Sequence, residues 1–149
     1  MTPSPHLGAE LTEFLHLHQA QAFCWQRNNC CHFAARWVAR ITGRDPMAGL
    51  GNTADARAAL ELVRRLGGGL RAAWSCQLGR EPIATLFAQV GDVVMFDSAA
   101  RAGGAAGVGA LVGICAGRTV AVLDVAGRVQ HLHLTEALCA WRITRPEAA

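Results

Sequence analysis

No lysine occurs in the chain; all 14 basic residues are arginine, scattered along its length. With a formal net charge of only +3, that scatter argues against a phosphate-neutralising stripe, and no nucleic acid is expected as a partner. Without lysine there is no Gly-x-x-x-x-Gly-Lys phosphate loop, and the triplet Gly67-Gly68-Gly69 follows no strand pattern. Gly, Arg or Asp interrupts every apolar run well short of a bilayer's thickness, so no membrane span is expected. The first residues, Met1-Thr2-Pro3-Ser4-Pro5-His6, hold neither a positive cluster nor a following apolar core, and do not read as a secretory signal.

A Cys-x-x-Cys pair is also missing. Six cysteines without a leader pattern predict reduced thiols and synthesis in the cytoplasm. Cys30 and Cys31 are adjacent, which is poor geometry for an ordinary disulfide. Cys24, Cys76, Cys115 and Cys139 lie among apolar neighbours, where a thiol behaves as a small buried hydrophobe. Cys24, Cys30, Cys31 and His32 match no standard zinc spacing, so neither a metal nor another cofactor is expected.

What is present is a 149-residue chain, 52% hydrophobic, of a size for one domain with a real core. Residues 1–8 read as a loose Pro-rich arm, 9–145 as the domain, and 146–149 as a tail. Leu11, Phe14, Leu15, Leu17 and Ala22 predict an amphipathic helix from Gly8 to Phe23, with His16 and His18 facing solvent. Asn28 or Asn29 can cap the next helix, whose face carries Cys30, Ala34, Trp37 and Ile41 and which Gly43 and Asp45-Pro46 end. Asn52 or Thr53 can cap a third, with Ala56, Ala59, Leu60 and Val63 as its buried stripe. Leu70–Leu78 makes a fourth, with Trp74 inward. The second half changes period: 93–96, 108–115, 119–125 and 129–134 are β-favouring runs, two of their joints short enough for hairpins. Thr135 can cap a last short helix, and Trp141-Arg142-Ile143 can return as an edge strand. Helices first and a small antiparallel sheet afterwards make an α+β domain.

The chemistry concentrates at Asn28-Asn29-Cys30-Cys31-His32. A cysteine in the first helical turn meets free amides and the positive end of the dipole, which favour thiolate. Asn-Cys-Cys-His-Phe-Ala-Ala-Arg-Trp resembles the nucleophile helix of the NlpC-type cysteine peptidases, papain-like cell-wall hydrolases whose usual form is Asp-Cys-Ser-Gly before an apolar run. Val90-Gly91-Asp92-Val93-Val94-Met95-Phe96 is similar to their Pro-Gly-Asp-Leu-Val-Phe-Phe strand, and Ala110 to Gly117 to their His-Val-Gly-Ile-Tyr-Leu-Gly strand. Order and spacing agree over about residues 20–145. The resemblance is strongest to a small branch encoded among phage and prophage tail genes. It implies a papain-like fold with Cys30 as nucleophile, Asn29 in place of the Asp, Cys31 at the Ser, and Leu111 where the catalytic His stands.

Leu111 cannot move a proton. His131 and His133, two apart on a later strand, are the remaining candidates for a base, against their plainer reading as a polar strand face. His32 projects about 200° round the helix from Cys30, and Cys31 about 100° from it. Asp92 and Asp124 can orient an imidazole, although Asp92 suits turn amides better. A nucleophile without its base loses orders of magnitude in activation, while a fold survives that loss. The resemblance therefore implies a catalytically degenerate domain serving as an interaction part of a phage tail tip or baseplate. Its location would be the virion, its partners other tail proteins, with residues 1–8, 98–107 and the Pro146 tail as docking segments. The alternative is an active peptidoglycan peptidase or amidase using Cys30 with His131, His133 or a base from another chain.

Overall fold

Asn29 and Gly43 bound the helix on which the site is built. In the computed structural model, which describes residues 6–18, 29–50, 56–66, 69–97, 110–124 and 127–146, Asn29 is extended (φ −98°) and caps α2 (Cys30–Thr42). Gly43 ends it at φ +80°, the left-handed conformation that costs glycine nothing, and donates its N–H to Ala39 O. The other helices are α1 (His6–His18), α3 (Ala56–Arg65) and α4 (Leu70–Leu78). The helix caps expected at Asn52 or Thr53, the residues Cys24 and Asn28, and the loop 98–107 lie outside the described residues.

α1 begins at His6, not at Gly8, and Leu7 is buried in the core, so the last residues of the expected arm are helical. Leu7, Leu11 and Phe14 recur at helical spacing and form its buried face, whereas Leu17 is exposed. Phe14 packs against Phe33 and Trp37 of α2, ring centroids 5.5 Å away in each case. His18 is not on a solvent face: its ring stacks 4.2 Å from Phe14. Arg40 of α2 pairs with Glu10 and Glu13 of α1, a surface tie worth well under 1 kcal/mol beside the aromatic packing. In α3, Leu62 and Val63 are buried; α4 turns Trp74 inward as its spacing predicts.

The sheet has five strands, β1 (Val93–Asp97), β2 (Ala110–Cys115), β3 (Thr119–Leu123), β4 (Val129–His133) and β5 (Cys139–Trp141). Their order is β4-β3-β2-β1-β5, every pairing antiparallel. The domain is α+β, with the expected meander and a late strand returning to an edge. That strand starts two residues earlier than Trp141, and Thr135 lies inside a single 3₁₀ turn (Leu134–Glu136) and caps no longer helix. β1 and β2 are buried on both faces, as their unbroken apolar sequence requires. Trp141 lies 6.3 Å from Trp74 and donates its indole N–H to Ser75 Oγ, which fixes α4 on the β5 side. Trp37, fully buried, donates to Gly91 O at 2.8 Å and ties α2 to the turn before β1. Among the described residues no helix is long and apolar enough to cross a membrane.

Candidate functional site

The first turn of α2 is closed by two reciprocal bonds. Asn29 Oδ1 accepts from His32 N–H at 2.9 Å, and Asn29 N–H donates back to His32 Nδ1 at 3.4 Å. This is a capping box with imidazole in the place usually held by Glu or Gln. Of the two asparagines, Asn29 is the cap, and it is buried. His32 therefore works as a neutral acceptor in the backbone of the turn, and its pKa lies below the ordinary value because burial and the nearby Arg36 charge disfavour the cation.

Cys30 is the first helical residue and only 5% exposed. Its pKa is lowered, first because the Cys31 S–H donates to it, then because the Val112 N–H and the amides of Cys31 and Cys30 favour the anion against the cost of burial. Cys31 rises well above the ordinary thiol range as the donor of that pair and through its own burial; the Trp74 indole N–H opposes the rise. The two thiols thus act as a donor and an acceptor, although adjacent helical residues do not share a face.

The sheet explains why Val112 can contribute. Cys115 donates to Asp92 O and accepts from Gly91 N–H. The odd positions of β2 therefore turn their polar backbone toward β1, and Ile114 and Val112 turn theirs toward the opposite side. On that side β3 pairs only with Ile114 and Cys115. The Val112 amide lies beyond the end of that ladder, and it helps to lower the Cys30 pKa. Leu111, the preceding residue, is buried and paired with Phe96, and it supplies no proton acceptor.

The candidate bases are elsewhere. His131 and His133 sit exposed on β4, an edge strand, opposite Ala121 and Thr119. The row through His131 and Ala121 reaches β2 at Ile114, two residues past Val112. At strand spacings of about 4.8 Å and rises of about 3.3 Å per residue, the His131 backbone is roughly 12 Å from Val112. The structure does not bring either histidine to the thiol. Nor does it bring the carboxylates: Asp92 accepts from Gln89 N–H, Ile143 N–H and Arg142 Nε–H, and Asp124 from Arg128 N–H and Gln130 Nε2–H. Asp92 satisfies turn amides, as its sequence context predicts.

The family model of a domain of unknown function (DUF6950) matches residues 3–143, which include every described helix and strand. The chain belongs to that family. No curated protein matches this DUF6950 member.

Chemically, the arrangement stabilises a thiolate without an imidazole. Alkylation of Cys30 should therefore show an inflection below the ordinary thiol value of about 8.5. Cys31→Ala removes the strongest donor and should move that inflection upward, read residue by residue by mass spectrometry; an unmoved inflection would mean that Cys31 does not set the Cys30 thiolate.

Proposed function

We propose that this DUF6950 protein is a part of a phage tail tip or baseplate, built on an NlpC-type papain-like fold that has lost its catalytic base. One observation carries the loss: the strand that offers its amide to Cys30 presents Leu111, buried and aliphatic, where the resembling peptidases place histidine. A cysteine peptidase needs a base in hydrogen-bond reach of the thiol, and the two candidate histidines stand two strands away. The tail assignment itself rests on the resemblance. A contact role is supported by the apolar surface near β5, where the 3₁₀ turns Thr85–Phe87 and Leu134–Glu136 meet. There Leu86 is 87% and Phe87 63% exposed, with Leu138 also exposed, an arrangement typical of an interaction surface.

The depressed pKa of Cys30 favours a second reading, an active cell-wall hydrolase whose base comes from another chain or from a moved His131 or His133. Purified protein incubated with peptidoglycan separates the two. Under the first reading it releases no new amines, Cys30→Ser changes nothing, and mass spectrometry of purified virions finds the chain in the tail. Cys30-dependent release of fragments would overturn the loss of catalysis, and virions lacking the chain would overturn the tail assignment.

A further inference from the structure

His32 couples the turn that bears Cys30 to pH. We infer that the Asn29–His32 capping box is a latch: it closes the first turn of α2 while the imidazole is neutral, and its protonation opens the turn and uncovers the thiol. The geometry of the cap is the same under either functional reading.

Asn29 N–H donates to His32 Nδ1, so that nitrogen must carry a lone pair. An imidazolium has N–H at both positions and accepts nothing. Protonation therefore turns one of the two reciprocal bonds into a meeting of two donors. It also places a positive charge in the first turn of a helix, where the dipole already presents positive charge. Arg36, one turn further along α2, adds like-charge repulsion, and Asp45, in the connection after α2, opposes it. Among the described residues these are the two charged groups that act on His32. The sign follows: the closed turn is fully stable above the ordinary histidine value of about 6.5 and loses stability as pH falls through it, because the open state binds the proton more readily. Cys30 is the next residue after the cap and is only 5% exposed while the turn is closed. The same opening withdraws the first-turn amides that support its thiolate.

The test needs a probe of access that still works in acid. A 2-pyridyl disulfide serves: the thiolate attacks one sulfur, a mixed disulfide forms, and pyridine-2-thione leaves with the electron pair. Labelling of Cys30 is followed from pH 8 to pH 5 and divided by labelling of the exposed Cys76 in the same sample. Opening one cap is expected to raise the ratio at the acidic end about fivefold to tenfold above that of His32→Gln. His32→Gln keeps a capping-box side chain that does not titrate, so it should show only the rise that the lower pKa of Cys30 gives, with an unchanged circular dichroism spectrum. Arg36→Gln removes the repulsion, so its midpoint should move to higher pH and its amplitude should shrink. A purely structural His32 would leave that midpoint in place. Identical profiles for the wild type and His32→Gln, or a midpoint unmoved in Arg36→Gln, would overturn the latch. If His32→Gln fails to fold, the Arg36→Gln midpoint decides alone.

Discussion

Replacing Asp92 with alanine should destabilise the domain by about 3–5 kcal/mol, the cost of breaking a buried ionic hydrogen-bonded group by removing one partner. Asp92 is 1% exposed. One carboxylate oxygen accepts from Gln89 N–H at 2.9 Å and from Arg142 Nε–H at 3.0 Å, and the other from Ile143 N–H at 3.1 Å. The Arg142 guanidinium also donates to Phe87 O at 2.7 Å. One side chain thus ties the turn entering β1 to the chain leaving β5, fifty residues apart. Alanine leaves two amides without their acceptor. Arg142, with 30% of its side chain exposed, recovers part of its loss by hydration. Urea denaturation should show the lowered midpoint, and amide exchange should show Ile143 among the first groups to open. A loss below about 1 kcal/mol, the size of an ordinary surface pair, would show that the clamp does not hold the C-terminal segment.

The pH dependence of that clamp has a definite sign. Burial raises the Asp92 pKa above the ordinary carboxylate value, and the three donors only partly offset it. The pH-dependent part of its contribution is therefore complete below the unfolded value of about 3.9 and is lost as pH rises through the folded value, because the folded state binds the proton longer. Asp92→Asn keeps one acceptor and cannot ionise. The stability gap between wild type and Asp92→Asn should be widest at the acidic end and narrow with rising pH. A gap that widens with rising pH would mean that the donors outweigh burial.

The order of elements was legible because it is local. Apolar residues recur every third or fourth position before Leu78 and every second, or without interruption, after Val93, and Gly43, Gly79 and Gly117 punctuate the change. Cys30 at a helix start was legible for the same reason. What was not legible is contact between distant segments. Pro3 and Pro5 suggested an arm through residue 8, yet Leu7 is drawn into the core beside Gly91 and Trp37. His18 looked solvent-facing by position, but Phe14 and Phe33 give it an aromatic seat. The Val112 amide is available to Cys30 only because the β2–β3 ladder stops at Ile114, a matter of register that no pattern within β2 encodes. By residue type alone, His32 offers a base or a metal ligand. The sequence signal for its role is Asn three residues before it, which the usual Glu or Gln form of the capping box does not bring to notice.

Gly113 marks the same break in the ladder, and placing any side chain there should be the most damaging small change in the sheet. A Cβ on Gly113 would lie 2.3 Å from the Ala121 carbonyl oxygen and 2.5 Å from a Val122 methyl. The methyl can rotate away. The carbonyl cannot, because Ala121 is held on one side by Ile114 and on the other by His131. Relief requires β3 to move off β2, which would pull apart fully buried Val120, Cys115 and Ile114. Overpacking of a tight core costs about 1–3 kcal/mol when side chains can adjust. With backbone as the obstacle, Gly113→Ala belongs at or above the top of that range, and Gly113→Val should not fold. Gly8→Ala is the control. It lies in α1, meets nothing within 4 Å and has no positive φ, so it should stabilise the helix by about 0.5–1 kcal/mol. Equal and small effects at the two glycines, read from urea midpoints, would mean that β2 and β3 tolerate separation at Gly113. The amide that supports Cys30 would then not be fixed by the sheet, because Val112 is the next residue along the same strand.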